Sequence, residues 1–142
     1  MSNFSDPALT YTLQDFIEYG KQDDMTYENF SILRVHNDIR FVEQNILDFY
    51  LEELQKLCVK VTDISQDEIL KYKYSPDILA YDIYGSTQLD FVVLYSNNMI
   101  DPKDFNFKSK YLMLPRKQIL KEFLSSVYNS EREWININRS SI

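Results

Sequence analysis

Between Tyr72 and Pro115 the chain is interrupted so often that only short elements fit. Ser75-Pro76-Asp77 reads as a helix start: a capping serine, a proline at the first helical position, and an acid in the first turn. Ile78, Leu79, Ala80 and Ile83 then supply an apolar face, and Gly85 stops the helix. A second helix starts at Ser86 or Thr87 and carries Leu89, Phe91, Val92, Val93 and Tyr95. Asn97 and Asn98 end it, because asparagine tolerates the left-handed conformation. Asp101-Pro102 marks a turn in the loop that follows. Tyr111–Leu114 reads as a short buried strand terminated by Pro115.

The flanks are less punctuated. Thr12 reads as a cap for a short helix through Leu13, Phe16, Ile17 and Tyr19 that ends near Gly20, and residues 31–35 read as a short extended segment. Ile39, Val42, Ile46, Tyr50, Leu54 and Leu57 recur at steps of three and four, which places them on one face of a helix capped by Asn37. Val59 and Val61 alternate with Lys60 and Thr62, the period of a strand over residues 58–64. Ser65 and Glu68 have the spacing of a capping box. Tyr72 and Tyr74 alternate with Lys71 and Lys73, a second candidate strand. Ile119, Leu120, Phe123, Leu124 and Val127 predict a last helix. Beyond it the chain reads either as a terminal strand, Ile135 and Ile137 alternating with Asn136 and Asn138, or as a tail whose Trp134 anchors on a partner. The expected class is α+β, a small mixed core flanked by helices and extended termini. The segments are an arm at 1–36, a long helix and strand at 37–70, a central module at 71–115 and a C-terminal helix and tail at 116–142.

The residues that carry chemistry are sparse. With 2 glycines, where average usage predicts about ten, Gly20 and Gly85 are too far apart for a phosphate-cradling loop. His36 is the only histidine, so no cluster of histidines forms a metal site within one chain, and a pairing of His36 with Cys58 is far less common than a buried structural cysteine. Asp101, Asp104 and Asn106 have the look of a calcium loop but lack its central glycine and closing glutamate, which leaves a turn capped by its own side chains. The expectation is no catalytic residue, no cofactor and no metal. A formal charge of -7 without a basic run argues against nucleic acid. No apolar stretch approaches the roughly 20 residues that span a bilayer, and the first residues lack a secretory pattern. One cysteine makes no internal disulfide, which suits production in a reducing cytoplasm.

The order of the middle segment, strand, helix, Gly turn, helix, Asn-Asn, loop, strand, Pro, resembles the LysM pattern, in which two short helices pack on a two-stranded antiparallel sheet. Leu112-Met113-Leu114-Pro115 stands where that family closes. The run from Lys71 to Pro102 is similar to a segment of baseplate wedge proteins of contractile-tailed bacteriophages. Pro76, Leu79, Ala80, Ile83, Tyr84, Gly85, Leu89, Asn97, Asn98, Asp101 and Pro102 match it, with Phe91 where that group has Trp. The match covers under a third of the chain. The Gly-Asp-Thr of sugar-binding LysM modules is replaced by Ser75-Pro76-Asp77.

The resemblance implies a structural subunit of a tail baseplate wedge, made in the host cytoplasm and carried in the virion. Its partners would be other baseplate and tail subunits in a large symmetric hetero-oligomer, with no nucleic acid and no membrane. Tyr84, Leu89, Phe91, Phe105 and Trp134 are the expected interface anchors, since aromatic side chains bury much area. Two other classes remain as alternatives: a peptidoglycan-binding LysM-type module, and a small tail-associated hydrolase built on His36 and loop acids.

Overall fold

The structure is a computed structural model, and it describes residues 10–20 and 50–139. In chain order the elements are β1 (Thr10–Thr12), α1 (Leu13–Gly20), α2 (described over 50–56), β2 (Cys58–Thr62) and α3 (Gln66–Tyr72). Then come α4 (Pro76–Tyr84), a 3-10 turn at Thr87–Leu89, α5 (Asp90–Ser96), a 3-10 turn at Pro102–Asp104, β3 (Leu112–Pro115) and α6 (Lys117–Arg139). The chain is therefore α+β: helices around one three-stranded sheet of order β1-β2-β3. β1 runs parallel to β2, with Tyr11 opposite Val61. β3 runs antiparallel to it, with Val59 opposite Leu114 and Val61 opposite Leu112.

The alternation in β2 does what its period dictates. Val59 and Val61 are buried and Lys60 between them is exposed. Leu112 and Leu114 fall on the same buried face of β3, and they share one core with Leu79 and Ile83 of α4, Leu89 of the 3-10 turn, and Val92 and Val93 of α5. The same cluster takes in Leu13 and Phe16 of α1, Leu54 of α2, and Leu120, Phe123, Leu124 and Val127 of α6. The described parts of all four sequence segments thus share one core. Tyr50 closes its edge, its ring set edge-on to Phe123 at 6.3 Å.

Local chemistry places most boundaries. Thr12 Oγ1 accepts from the Asp15 amide at the head of α1. Pro76 opens α4, and Gly85 closes it at φ 84, a left-handed position that glycine adopts without the cost a side chain brings. Ser65 and Glu68 make the reciprocal capping box of α3: the Glu68 amide donates to Ser65 Oγ at 3.1 Å, and the Ser65 amide donates to Glu68 Oε1 at 2.8 Å. Ser65→Ala is expected to lower stability by about 1 kcal/mol, read from urea unfolding.

Two expectations are corrected. Residues 71–74 are not a strand. The capped α3 runs through to Tyr72, and Tyr74 turns the chain at φ 61. The strand that pairs with β3 is β2, and α3, α4 and α5 lie between the two in the chain. At the other end, residues 134–138 are neither strand nor tail but the last turns of α6. The predicted extended stretch at 31–35 and the start of the 38–57 helix lie outside the described residues.

Candidate functional site

The five expected anchors separate sharply. Tyr84 (1% exposed), Leu89 (0%), Phe91 (2%) and Phe105 (0%) all lie in the chain's own core. Such residues pack within the chain and offer a neighbour almost no surface of their own. Trp134 is 58% exposed on the last turns of α6.

Each buried aromatic has a local task. The Tyr84 hydroxyl donates to the Pro115 carbonyl at 2.6 Å, and burial holds its pKa well above the ordinary tyrosine value. Phe91 packs edge-on to Tyr95, with ring centroids 6.3 Å apart. Phe105 sits 4.9 Å from Phe107, and its carbonyl accepts from the Tyr74 amide at 2.7 Å. That bond ties the α3–α4 turn to the loop before β3.

The exposed apolar side chains are elsewhere. Leu70, Tyr74, Ile78 and Tyr81 all fall within residues 70–81 and are 70%, 54%, 41% and 59% exposed. Ile78 and Tyr81 are one turn apart on one face of α4. Ile100, in the loop after α5, is 82% exposed, and Tyr111 at its far end is 41% exposed. Tyr81 belongs to this exposed set and not to the core. It lies only three residues before Tyr84 but faces solvent.

Two clefts border these surfaces. Between α1 and α3 lies an acidic one of about 360 Å³, with Glu18, Asp67, Glu68 and Asp82 in its wall. Asp82 is held there, accepting from the Tyr72 hydroxyl at 2.7 Å and pairing with Lys71 Nζ at 3.0 Å. Burial, then the bond to Asp82, pushes the Tyr72 pKa upward. The second, about 180 Å³, is formed by the loop between α5 and β3, with Asn97, Met99, Phe107, Lys108 and Tyr111 in its wall. Lys60 Nζ stands 4.4 Å over the Tyr111 ring, a cation–π contact at its rim.

The candidate chemical groups take structural roles. Asp101 and Asp104 cap their own 3-10 turn reciprocally, and Asn106 Oδ1 accepts from the Lys108 amide. Among the described residues no group of His, Cys, Asp and Glu is arranged to hold a metal ion. Also among them, no helix is long and apolar enough to cross a membrane. His36 lies outside the described residues. Cys58 is buried, and its thiol donates to the Leu54 carbonyl at 3.3 Å. Burial pushes its pKa up to about 11, although the Ser96 hydroxyl nearby favours the thiolate. That hydroxyl is itself buried without a hydrogen-bond partner, so it is near the sulfur but not aligned with it.

A thiol so placed is a poor nucleophile. Native protein at pH 8 is expected to resist iodoacetamide, while urea-unfolded protein is alkylated within minutes. The raised pKa favours the folded state below the ordinary thiol range. That contribution is lost as pH rises through about 11. Rapid native alkylation would show that the helix–strand junction at Leu57 opens readily. Comparison of the chain with protein-family models, with curated protein sequences and with solved structures returns no match.

Proposed function

We propose that this chain is a structural subunit of the baseplate wedge of a contractile phage tail, with residues 58–115 as a LysM-like module that grips protein neighbours. The ordered run from Pro76 to Pro102 carries the reading, because its unusual residues are those that set the backbone. Pro76 starts α4, Gly85 turns left-handed, Asn97 braces β3, and Asp101-Pro102 opens a capped turn. The packing of α5 on β3, of α4 on α5, and the antiparallel pairing of β2 with β3 support the LysM-like part. The solvent-facing Ile78, Tyr81 and Trp134 support adhesion to neighbours and replace the buried residues as anchors. Permanent interfaces bury about 2,000 Å² or more, and rigid aromatic side chains supply much of that area.

Mass spectrometry of purified virions tests the reading. The chain is expected among the tail proteins, and its absence from the particle sinks the proposal. Sedimentation with purified peptidoglycan separates the glycan-binding alternative. The isolated protein is expected to stay in the supernatant, whereas saturable pelleting would move the module to the cell wall.

A further inference from the structure

Charge is distributed unevenly along this acidic chain. Residues 99–121 carry Lys103, Lys108, Lys110, Arg116, Lys117 and Lys121 against only Asp101 and Asp104. Lys103, Lys108 and Lys110 are exposed on the α5–β3 loop, and Lys60 reaches the same place from β2 through its contact with Tyr111. The same loop carries two exposed apolar side chains, Ile100 near its start and Tyr111 at its end, and Met99 and Tyr111 share the wall of one cleft. The loop is not a slack tether. Buried Phe105, its carbonyl bond to Tyr74 and the capped turn at Asp101–Asp104 fix its course. Exposed apolar side chains beside an excess of lysines, on a backbone fixed in this way, suit an acidic, partly apolar partner.

The chain itself presents that chemistry. On α3, Asp67 and Leu70 are three residues apart and share a face, and both are exposed. Asp63 is exposed just before the helix, and Asp67 belongs to the wall of the acidic cleft with Glu18 and Glu68. Lys71, the cation on α3, pairs with Asp82 at 3.0 Å.

We propose that the α5–β3 loop of one copy docks on the α3 face of a second copy. Ile100 and Tyr111 meet Leu70, and Lys108 and Lys110 meet Asp63 and Asp67. The contact is head-to-tail, because the two faces differ, so it builds rings or chains and not closed pairs. The net negative charge does not forbid it. At about 0.1 M salt the screening length is about 10 Å, so each loop responds to the facing patch more than to the whole molecule. The inference does not rest on the phage reading and stands or falls separately.

A charge swap tests it by sedimentation velocity. Wild-type protein is expected to self-associate at about 0.05 M salt, with an association constant at least about tenfold weaker at about 0.5 M. Lys108→Glu with Lys110→Glu makes both faces acidic, and this variant is expected to stay monomeric. Gln66→Lys with Asp67→Lys makes both faces basic, and it too is expected to stay monomeric. An equimolar mixture of the two variants restores both contacts, native loop on native α3 face and reversed loop on reversed α3 face, and is expected to assemble with the two variants alternating. Far-ultraviolet circular dichroism checks that both variants fold, and Ile100→Ala provides an independent loosening of the apolar centre without changing charge. Wild-type protein that remains monomeric at low salt overturns the proposal. So does a mixture that fails to associate, or association that neither charge-reversed variant weakens. Retention of a single-stranded oligonucleotide by monomeric wild-type protein, lost in the lysine variant, would reassign the loop to nucleic acid and overturn it as well.

Discussion

Tyr84→Ala is expected to remove about 3–5 kcal/mol of unfolding free energy, the range for truncating a fully buried aromatic. Domains of this kind have roughly 5–15 kcal/mol in total, so the variant is expected to be partly unfolded at 37 °C. The size of the effect follows from position. Tyr84 ends α4, is 1% exposed, and spans from the helix to the last residue of β3. Tyr84→Phe separates packing from the hydroxyl. It keeps the ring and removes only the 2.6 Å bond to the Pro115 carbonyl. An acceptor left buried without a partner costs about 1–3 kcal/mol, so this variant is expected to fall in that range.

The pH dependence supplies a second check. Burial raises the folded-state pKa of Tyr84. The group therefore contributes its full stability below the ordinary tyrosine value of about 10, and loses it as pH rises toward the folded value. The stability gap between wild type and Tyr84→Phe is expected to be flat from neutral pH to about pH 9 and to shrink above about pH 10. Urea titrations at neutral and alkaline pH measure it. A gap that widens with pH would mean that the hydroxyl is not buried against Pro115.

The parts of the fold that were legible in the sequence are those set by neighbours in the chain. Pro76, Gly85 and the Ser65–Glu68 pair act through backbone geometry within four residues, and each acts in the structure as its chemistry requires. The failures have the opposite character. Lys71 to Tyr74 has a period of two, but the choice between strand and helix was made by the cap at Ser65 and by distant contacts. Tyr72 is bonded to Asp82 on the next helix, and Tyr74 to Phe105 in a loop thirty-one positions along. β1 is joined to β2 across the whole of α1 and α2, and Thr10–Thr12 carries no local sign of it beyond a cap at Thr12.

The interface suffered most, because side-chain type does not encode exposure. Tyr81 and Tyr84 differ by less than one turn of α4, yet one faces solvent and the other reaches β3. An aromatic-rich chain offers the same residues to its core and to its neighbours. Only the packed structure divides them, and it leaves Ile78, Tyr81, Ile100 and Trp134 outside. The charge asymmetry of residues 99–121 was visible in the sequence, but its meaning depended on Phe105 fixing the loop and on Lys60 arriving beside Tyr111.

Asn97→Ala is expected to cost about 2–4 kcal/mol, more than a polar, half-buried residue ordinarily would, because one carboxamide stands in for a missing strand. Its Oδ1 accepts from the Met113 amide at 2.8 Å, and its Nδ2 donates to the Met113 carbonyl at 3.0 Å and to the Val93 carbonyl at 2.8 Å. The Met113 groups are those that β3 turns away from β2, so Asn97 and Tyr84 together close an edge that would otherwise template another strand. The backbone of Asn97 has φ -110, which alanine adopts freely, so the loss comes from the side chain and not from strain; the left-handed position belongs to Asn98 at φ 58. Hydrogen exchange at the Met113 amide is expected to accelerate, with aggregation on warming as the opened edge pairs between molecules. Asn97→Asp sharpens the test. A carboxylate still accepts from the Met113 amide but faces two carbonyl oxygens, which raises its folded pKa, so the variant is expected to be less stable than alanine at pH 7. Because a raised pKa stabilises the folded state below the unfolded value of about 4, the aspartate variant is expected to recover relative to alanine as pH falls toward that value. An alanine variant within about 0.5 kcal/mol of wild type would mean that water replaces the carboxamide and that the β3 edge is closed by other means.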